Sequence, residues 1–319
     1  MTHTPANPPE TNTCETTPQR RWLSPPVLLA AFGAACVLFQ AWVFARWAAD
    51  GNLRSYPFNG DMPTHLKIST QVLQVLVAAA CVALAVLCRR QSRAAGHVTL
   101  LTTLTAGWAL AFWADPYIAP HTHFISNNRY GINYPTWGPY LPGWDGPLPQ
   151  HQTFLENGMY PLLVIWIWIG LAIARLLRTR RPQWSRARVA GLTTVLLFPV
   201  DIVLEQAYIR AAGFGYARAT PCLTLFEGQW YQLPLTAATV MTLLVAPPVV
   251  VMAVYAGPGR EVWMLEGSLS LPHRAQPWIR LLAGVGLVHV CMVGFIVLTQ
   301  LYTPLTYLID LPPWFERPA

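Results

Sequence analysis

Asp201 and Glu205 stand four residues apart in the run FPVDIVLEQAYIR, inside an apolar stretch long enough to cross a bilayer. On a helix that spacing puts both carboxylates on one face, and Tyr208 extends the face by another turn. Ionisable side chains within a membrane span are expensive to hold and mark functional sites by default. Two carboxylates in a low-dielectric setting can hold one proton between them, so that one serves as acid and the other as base. A third, Asp115, closes the apolar run GWALAFWADP, where Trp108, Phe112 and Asp115 share a face at i, i+4 and i+7. Pro199, just before Asp201, can kink its helix and free a carbonyl. This inventory suits general acid–base work on an apolar substrate. A bland reading stands beside it: Asp201 paired with an arginine to hold helices together, Asp115 as an interfacial cap, Arg210 and Glu227 as a loop salt bridge.

Other chemistries find less support. His121 and His123 form H-x-H, with His151 further on. Ligand spacing alone is unspecific, and the clustered histidine boxes of membrane desaturases are missing, so no metal site is expected. The six cysteines include no C-x-x-C pair, and four lie in or beside apolar runs. A disulfide framework is therefore not expected. The nucleophile elbow G-x-S-x-G, the P-loop, H-E-x-x-H and the dinucleotide fingerprint are absent, which argues against hydrolase, ATPase, zinc-protease and NAD chemistry.

The elements that must position these groups are membrane helices. Charged residues make up 11% of the 319 and hydrophobic ones 54%, against roughly a quarter charged in soluble domains. Seven apolar runs are long enough to span, near 26–47, 70–88, 98–115, 158–175, 189–209, 233–255 and 278–302. The expectation is an all-α polytopic bundle over 25–303. A disordered cytoplasmic tail at 1–24 precedes it and a short outer tail at 304–319 follows. Of the 21 basic residues, fourteen fall on one side of this layout, the densest in RLLRTRRPQWSRAR. The positive-inside rule then puts the N-terminus in and the C-terminus out. The net charge of +7 reads as this topology signal and not as a nucleic-acid patch. Richness in Ala, Pro, Trp and Arg suggests a GC-rich bacterial genome, hence a bacterial cytoplasmic membrane. Residues 116–157 form a long outer loop holding seven prolines and Tyr130, Tyr134, Trp137, Tyr140 and Trp144. Its aromatic content argues for packing on the membrane face or folding over the bundle.

Two blocks carry a resemblance. FWADPYIAPHTHFISNNRYGINYPTWGPYLPGW (112–144) and DIVLEQAYIRAAGFGYARATPCLTLFEGQWYQLP (201–234) resemble the corresponding segments of the AveC-type spirocyclases, membrane proteins of avermectin- and milbemycin-type macrolide biosynthesis. The likeness rests on Asp115-Pro116, Asn127, Asn128, Trp137, Pro142-Gly143-Trp144, Asp201, Glu205, Gly213, Tyr216, Gly228 and Pro234. It implies closure of a dihydroxy ketone into a 6,6-spiroketal with loss of water. For some members it also implies dehydration of the ring. No redox cofactor is needed. Asp115, Asp201 and Glu205 are then the expected catalytic residues. Trp108, Asn127, Asn128, Tyr130, Trp137, Trp144, Tyr208, Arg210, Tyr216 and Glu227 are expected around the substrate. The partners implied are a hydrophobic polyketide, membrane lipid and polyketide synthase pathway enzymes. A transporter or a binding protein for a hydrophobic metabolite is the competing reading.

Overall fold

The computed structural model describes residues 24–55, 61–118, 124–144, 146, 151–244, 254–256 and 261–316. The expected tail at 1–23 and the H-x-H histidines lie outside them.

Five stretches are helical, long and apolar enough to cross a membrane: Pro25–Ala49, Thr64–Ala95, Phe154–Arg180, Arg186–Arg210 and Gln276–Leu305. We label the helices α1 (Pro25–Ala49), α2 (Thr64–Ala95), α3 (Leu100–Ala109), α4 (Asp115–Ile118), α5 (Phe154–Met159), α6 (Val164–Arg180), α7 (Arg186–Arg210), α8 (Leu235–Leu244) and α9 (Gln276–Tyr302). Five of the seven expected spans are continuous helices among the described residues; the third is interrupted, and residues 245–253 of the sixth lie outside the described residues. The third breaks after α3, where the Leu110 N–H is shared among the carbonyls of Ala106, Gly107 and Trp108 and the chain tightens into a 3-10 turn before α4. The sixth yields only the ten-residue α8 among the described residues.

Local sequence sets several helix starts. Ser185 caps α7 by accepting the Arg188 N–H at 3.3 Å, and Thr99 caps α3 through Thr102 at 3.4 Å. The bundle is held at its centre by close backbone approach, the usual membrane device where water cannot drive association. A Cβ added to Gly33 of α1 would meet the Leu282 carbonyl oxygen of α9 at 2.1 Å, and one on Gly286 would meet that of Leu29 at 2.1 Å. On the neighbouring side, Gly107 of α3 faces Gly284 in the same way, at 2.6 Å from its carbonyl oxygen. Helix α9 is thus wedged between α1 and α3, while α6 packs on α7.

One end of the bundle carries the arginines of the α2, α6 and α7 termini. The other is closed by a folded cap made from three distant stretches. Strand β1 (Ile125–Asn127) pairs antiparallel with β4 (Phe214–Tyr216), Ile125 opposite Tyr216. β2 (Asn133–Pro135) pairs with β3 (His151–Thr153). β5 (Arg218–Ala219) pairs with β8 (Tyr307–Leu308), and β6 (Thr224–Leu225) with β7 (Leu233–Pro234). The segment after β8 continues the weave. Asn128 bridges to Phe315, which is fully buried, and His151 Nδ1 lies 3.1 Å from the Glu316 carboxylate. The aromatic loop therefore folds over the bundle.

Candidate functional site

Beneath the cap lies a cavity of about 340 Å³. Its walls are apolar, with Leu162, Met292 and Phe295 among them, yet four carboxylates line it: Asp115, Glu156, Asp201 and Glu205. They come from α4, α5 and α7, so three separate segments must be in place before the group exists. Asp201 is 2% exposed and Asp115 1%.

Three of the four carboxylates have a defined side-chain donor. Tyr160 donates to Asp115 Oδ1 at 2.9 Å. The Trp166 indole N–H donates to Asp201 Oδ1, and the Tyr216 hydroxyl donates to Glu205 Oε1. Burial, and then the neighbouring Glu205 charge, push the Tyr216 hydroxyl well above the usual phenol range, so it stays a donor. Strand pairing of β4 with β1 is what brings Tyr216 back over α7. Glu156 is set by the Thr153 cap of α5, which accepts the Glu156 N–H at 3.3 Å. Its side chain is within hydrogen-bonding reach of Asp115 and Asn127. Asp201 and Glu205 are the second neighbouring pair.

The opposite oxygens are more informative. Among the described residues Asp115 Oδ2, Glu156 Oε2, Asp201 Oδ2 and Glu205 Oε2 are buried without a hydrogen-bond donor, and the indole N–H of Trp108 on the same wall is buried without an acceptor. Buried polar atoms are otherwise almost always satisfied. Among the described residues no arginine or lysine forms an ion pair with any of the four, which removes the reading of Asp201 as one half of a helix-holding salt bridge.

The structure divides the residues expected from sequence. Asp115, Asp201, Glu205, Trp108, Tyr208 and Tyr216 line the cavity. Asn127 stands behind Glu156 and donates to the His151 carbonyl at 3.0 Å. The rest lie outside the lining of this cavity. Asn128 ties the cap to α2 through Thr70 Oγ1 at 3.0 Å. Tyr130 receives Lys67 on its ring face at 5.4 Å. Trp137 is buried in an aromatic cluster with Phe44, Trp47 and Phe112, and its N–H is used by the Trp113 carbonyl. Trp144 packs on Gly138 and Gly146. Arg210 lies over Tyr231 at 4.0 Å, and Glu227 accepts from Tyr307 at the surface; they do not pair with each other. These groups build the cap. Glu156 was missed by sequence reasoning because it falls at the end of the polar loop. The signal was present in Thr153-Phe-Leu-Glu156, a Ser/Thr-x-x-Glu helix start at the head of an apolar run.

Five helices long and apolar enough to cross a membrane, around an apolar cavity lined by four carboxylates, define a membrane-protein architecture. A family model described as "Spirocyclase AveC-like" matches residues 89–307, more than half of the chain, and the chain belongs to that family. No curated protein and no solved structure matches it. Membership implies enzymatic cyclisation.

Proposed function

We propose that this chain closes a dihydroxy-ketone polyketide into a 6,6-spiroketal, with loss of one water, in the cavity beneath the cap. One observation carries the proposal: four carboxylates, each with a buried oxygen that has no partner among the described residues, line a single apolar cavity.

The first hydroxyl of the substrate adds to the ketone carbon while one carboxylate takes its proton and its paired carboxylic acid protonates the ketone oxygen, giving a hemiketal. A carboxylic acid then protonates the hemiketal hydroxyl, which leaves as water. The resulting oxocarbenium ion is captured by the second hydroxyl, whose proton returns to the carboxylate that acted as acid. Glycosidases meet the same demands with two carboxyl groups. Here Asp201 and Glu205 form one acid–base pair, and Asp115 with Glu156 forms the other. The Trp108 N–H is free to hold a substrate oxygen, and the Trp108 and Trp166 rings offer π faces to the cation. Holding one folded conformer also sets the configuration of the spiro carbon, a positioning effect.

At about 340 Å³ the cavity is at the small end of ligand pockets, roughly 300–1,000 Å³. It suits the reacting head of a macrolide, with the remainder extending past Leu204, which lines the cavity and is 39% exposed. The arginine-rich end supports a cytoplasmic N-terminus, with the cap and cavity at the outer face of a bacterial membrane. A polyketide pathway would supply the substrate. The same acid–base groups suit dehydration of the finished ring in a second step.

The test is a membrane assay with a synthetic dihydroxy-ketone macrolide precursor at neutral pH, followed by chiral chromatography and mass spectrometry. A single spiroketal isomer, formed faster than with empty membranes, is expected. The same slow isomer mixture in both would refute the proposal.

A further inference from the structure

A second cavity, about 710 Å³, is at the arginine end, away from the carboxylates. It lies between α2 and α9, with α3 behind it. Small residues make the room: Ala85 on α2, and Ala106 and Ala109 on α3. Its apolar wall continues through Cys88 and Leu281, and its rim carries Arg89, Arg93, His97 and His273. Arg280 closes the base but is already neutralised. It bonds Glu261 at 2.6 Å, Ser268 Oγ at 2.5 Å and the Val98 carbonyl at 2.7 Å. Arg89 and Arg93 differ. They stand four apart on one face of α2, both on the cavity lining, and neither has an acidic partner among the described residues.

A positive rim above an apolar trough between two membrane helices is complementary to an amphiphile with a negative head. We infer that this cavity binds an anionic phospholipid of the surrounding bilayer, its phosphate on Arg89 and Arg93 and one acyl chain along Ala85, Ala109 and Leu281. A basic residue near an anionic headgroup strengthens binding roughly fivefold, so both arginines together contribute about 30-fold.

The purified full-length chain in detergent would be titrated with phosphatidylglycerol, phosphatidylcholine or inorganic phosphate. Retained lipid would be counted by native mass spectrometry and thermal unfolding recorded in parallel. We expect phosphatidylglycerol alone to be retained and to raise the melting temperature. Arg89→Gln/Arg93→Gln should bind it about 30-fold more weakly, and Ala109→Phe should lose it by filling the trough. Arg180→Gln, at an exposed position of α6 outside the cavity lining, should bind as the parent does. Equal retention of phosphatidylcholine, an equal shift with inorganic phosphate alone, or undiminished phosphatidylglycerol binding in a double variant with the parent's circular dichroism would each overturn the assignment.

Discussion

Tyr216→Phe isolates one contact of the proposed site. The ring stays: Tyr216 packs edge-on against Phe124 and Phe214 at centroid distances of 5.1 and 5.5 Å, and phenylalanine keeps both contacts. Only the hydroxyl that donates to Glu205 Oε1 is removed. Glu205 Oε2 has no donor of its own, so the variant carboxylate would have none at all. A hydrogen bond to a charged group is worth about 1.5–3 kcal/mol. At about 1.4 kcal/mol per factor of ten, cyclisation should slow by roughly 10- to 150-fold. Removing the acid–base group itself, with Glu205→Gln, should cost about 10²–10⁴-fold. The decisive assay is the double variant, measured as initial rate of single-isomer spiroketal formation in membranes with matched protein levels. If Tyr216 acts by holding Glu205, the double variant is no slower than Glu205→Gln alone. A double variant slowed by the product of the two single losses would refute that reasoning and give Tyr216 a role of its own.

Asp201→Asn should abolish turnover while the protein still inserts and folds, checked by expression level, circular dichroism and the same product assay. Asp115→Asn should keep the Tyr160 hydrogen bond through its amide oxygen yet lower the rate by at least about tenfold, because the Asp115–Glu156 pair can no longer trade a proton; an unchanged rate would remove that pair from the chemistry. Trp108→Phe should cost roughly tenfold in kcat/KM, the worth of one hydrogen bond to substrate, with little change in melting temperature. Gly286→Ala places a methyl 2.1 Å from the Leu29 carbonyl oxygen and should destabilise the α1–α9 contact by about 1–3 kcal/mol, seen as a lower melting temperature.

Much of the bundle was legible because lipid imposes a simple rule on sequence. Apolar runs with arginines at one set of ends located all five long helices, and α7 begins and ends within a few residues of its expected bounds. The third run failed because hydropathy reports burial in apolar surroundings and not helical continuity. Leu110 and Ala111 are as apolar as their neighbours, yet the backbone tightens there. The same limit explains the cap. Trp137 and Tyr130 looked like ligands because aromatic residues in a long loop are frequent binders, but here they fill the space between cap and helices. Asp201, Glu205 and Tyr208 could be grouped from sequence because their spacing is local. The approach of Asp115 to Glu156 depends on β2 and β3 pairing around the loop, and no local pattern encodes it.

The cap also fixes when the site comes into being. Ser126 donates to the Glu316 carbonyl across 190 positions of chain, and Phe315 fills the space behind Asn128. Contacts of such separation are entropically costly to close and form late. All the long helices must therefore be threaded and docked before residues 307–316 can seal the lid over the carboxylates. In a half-assembled bundle Asp115, Glu156, Asp201 and Glu205 stay open to water. The enclosed, apolar surroundings of the four carboxylates belong only to the finished molecule, so assembly itself creates the cavity they line.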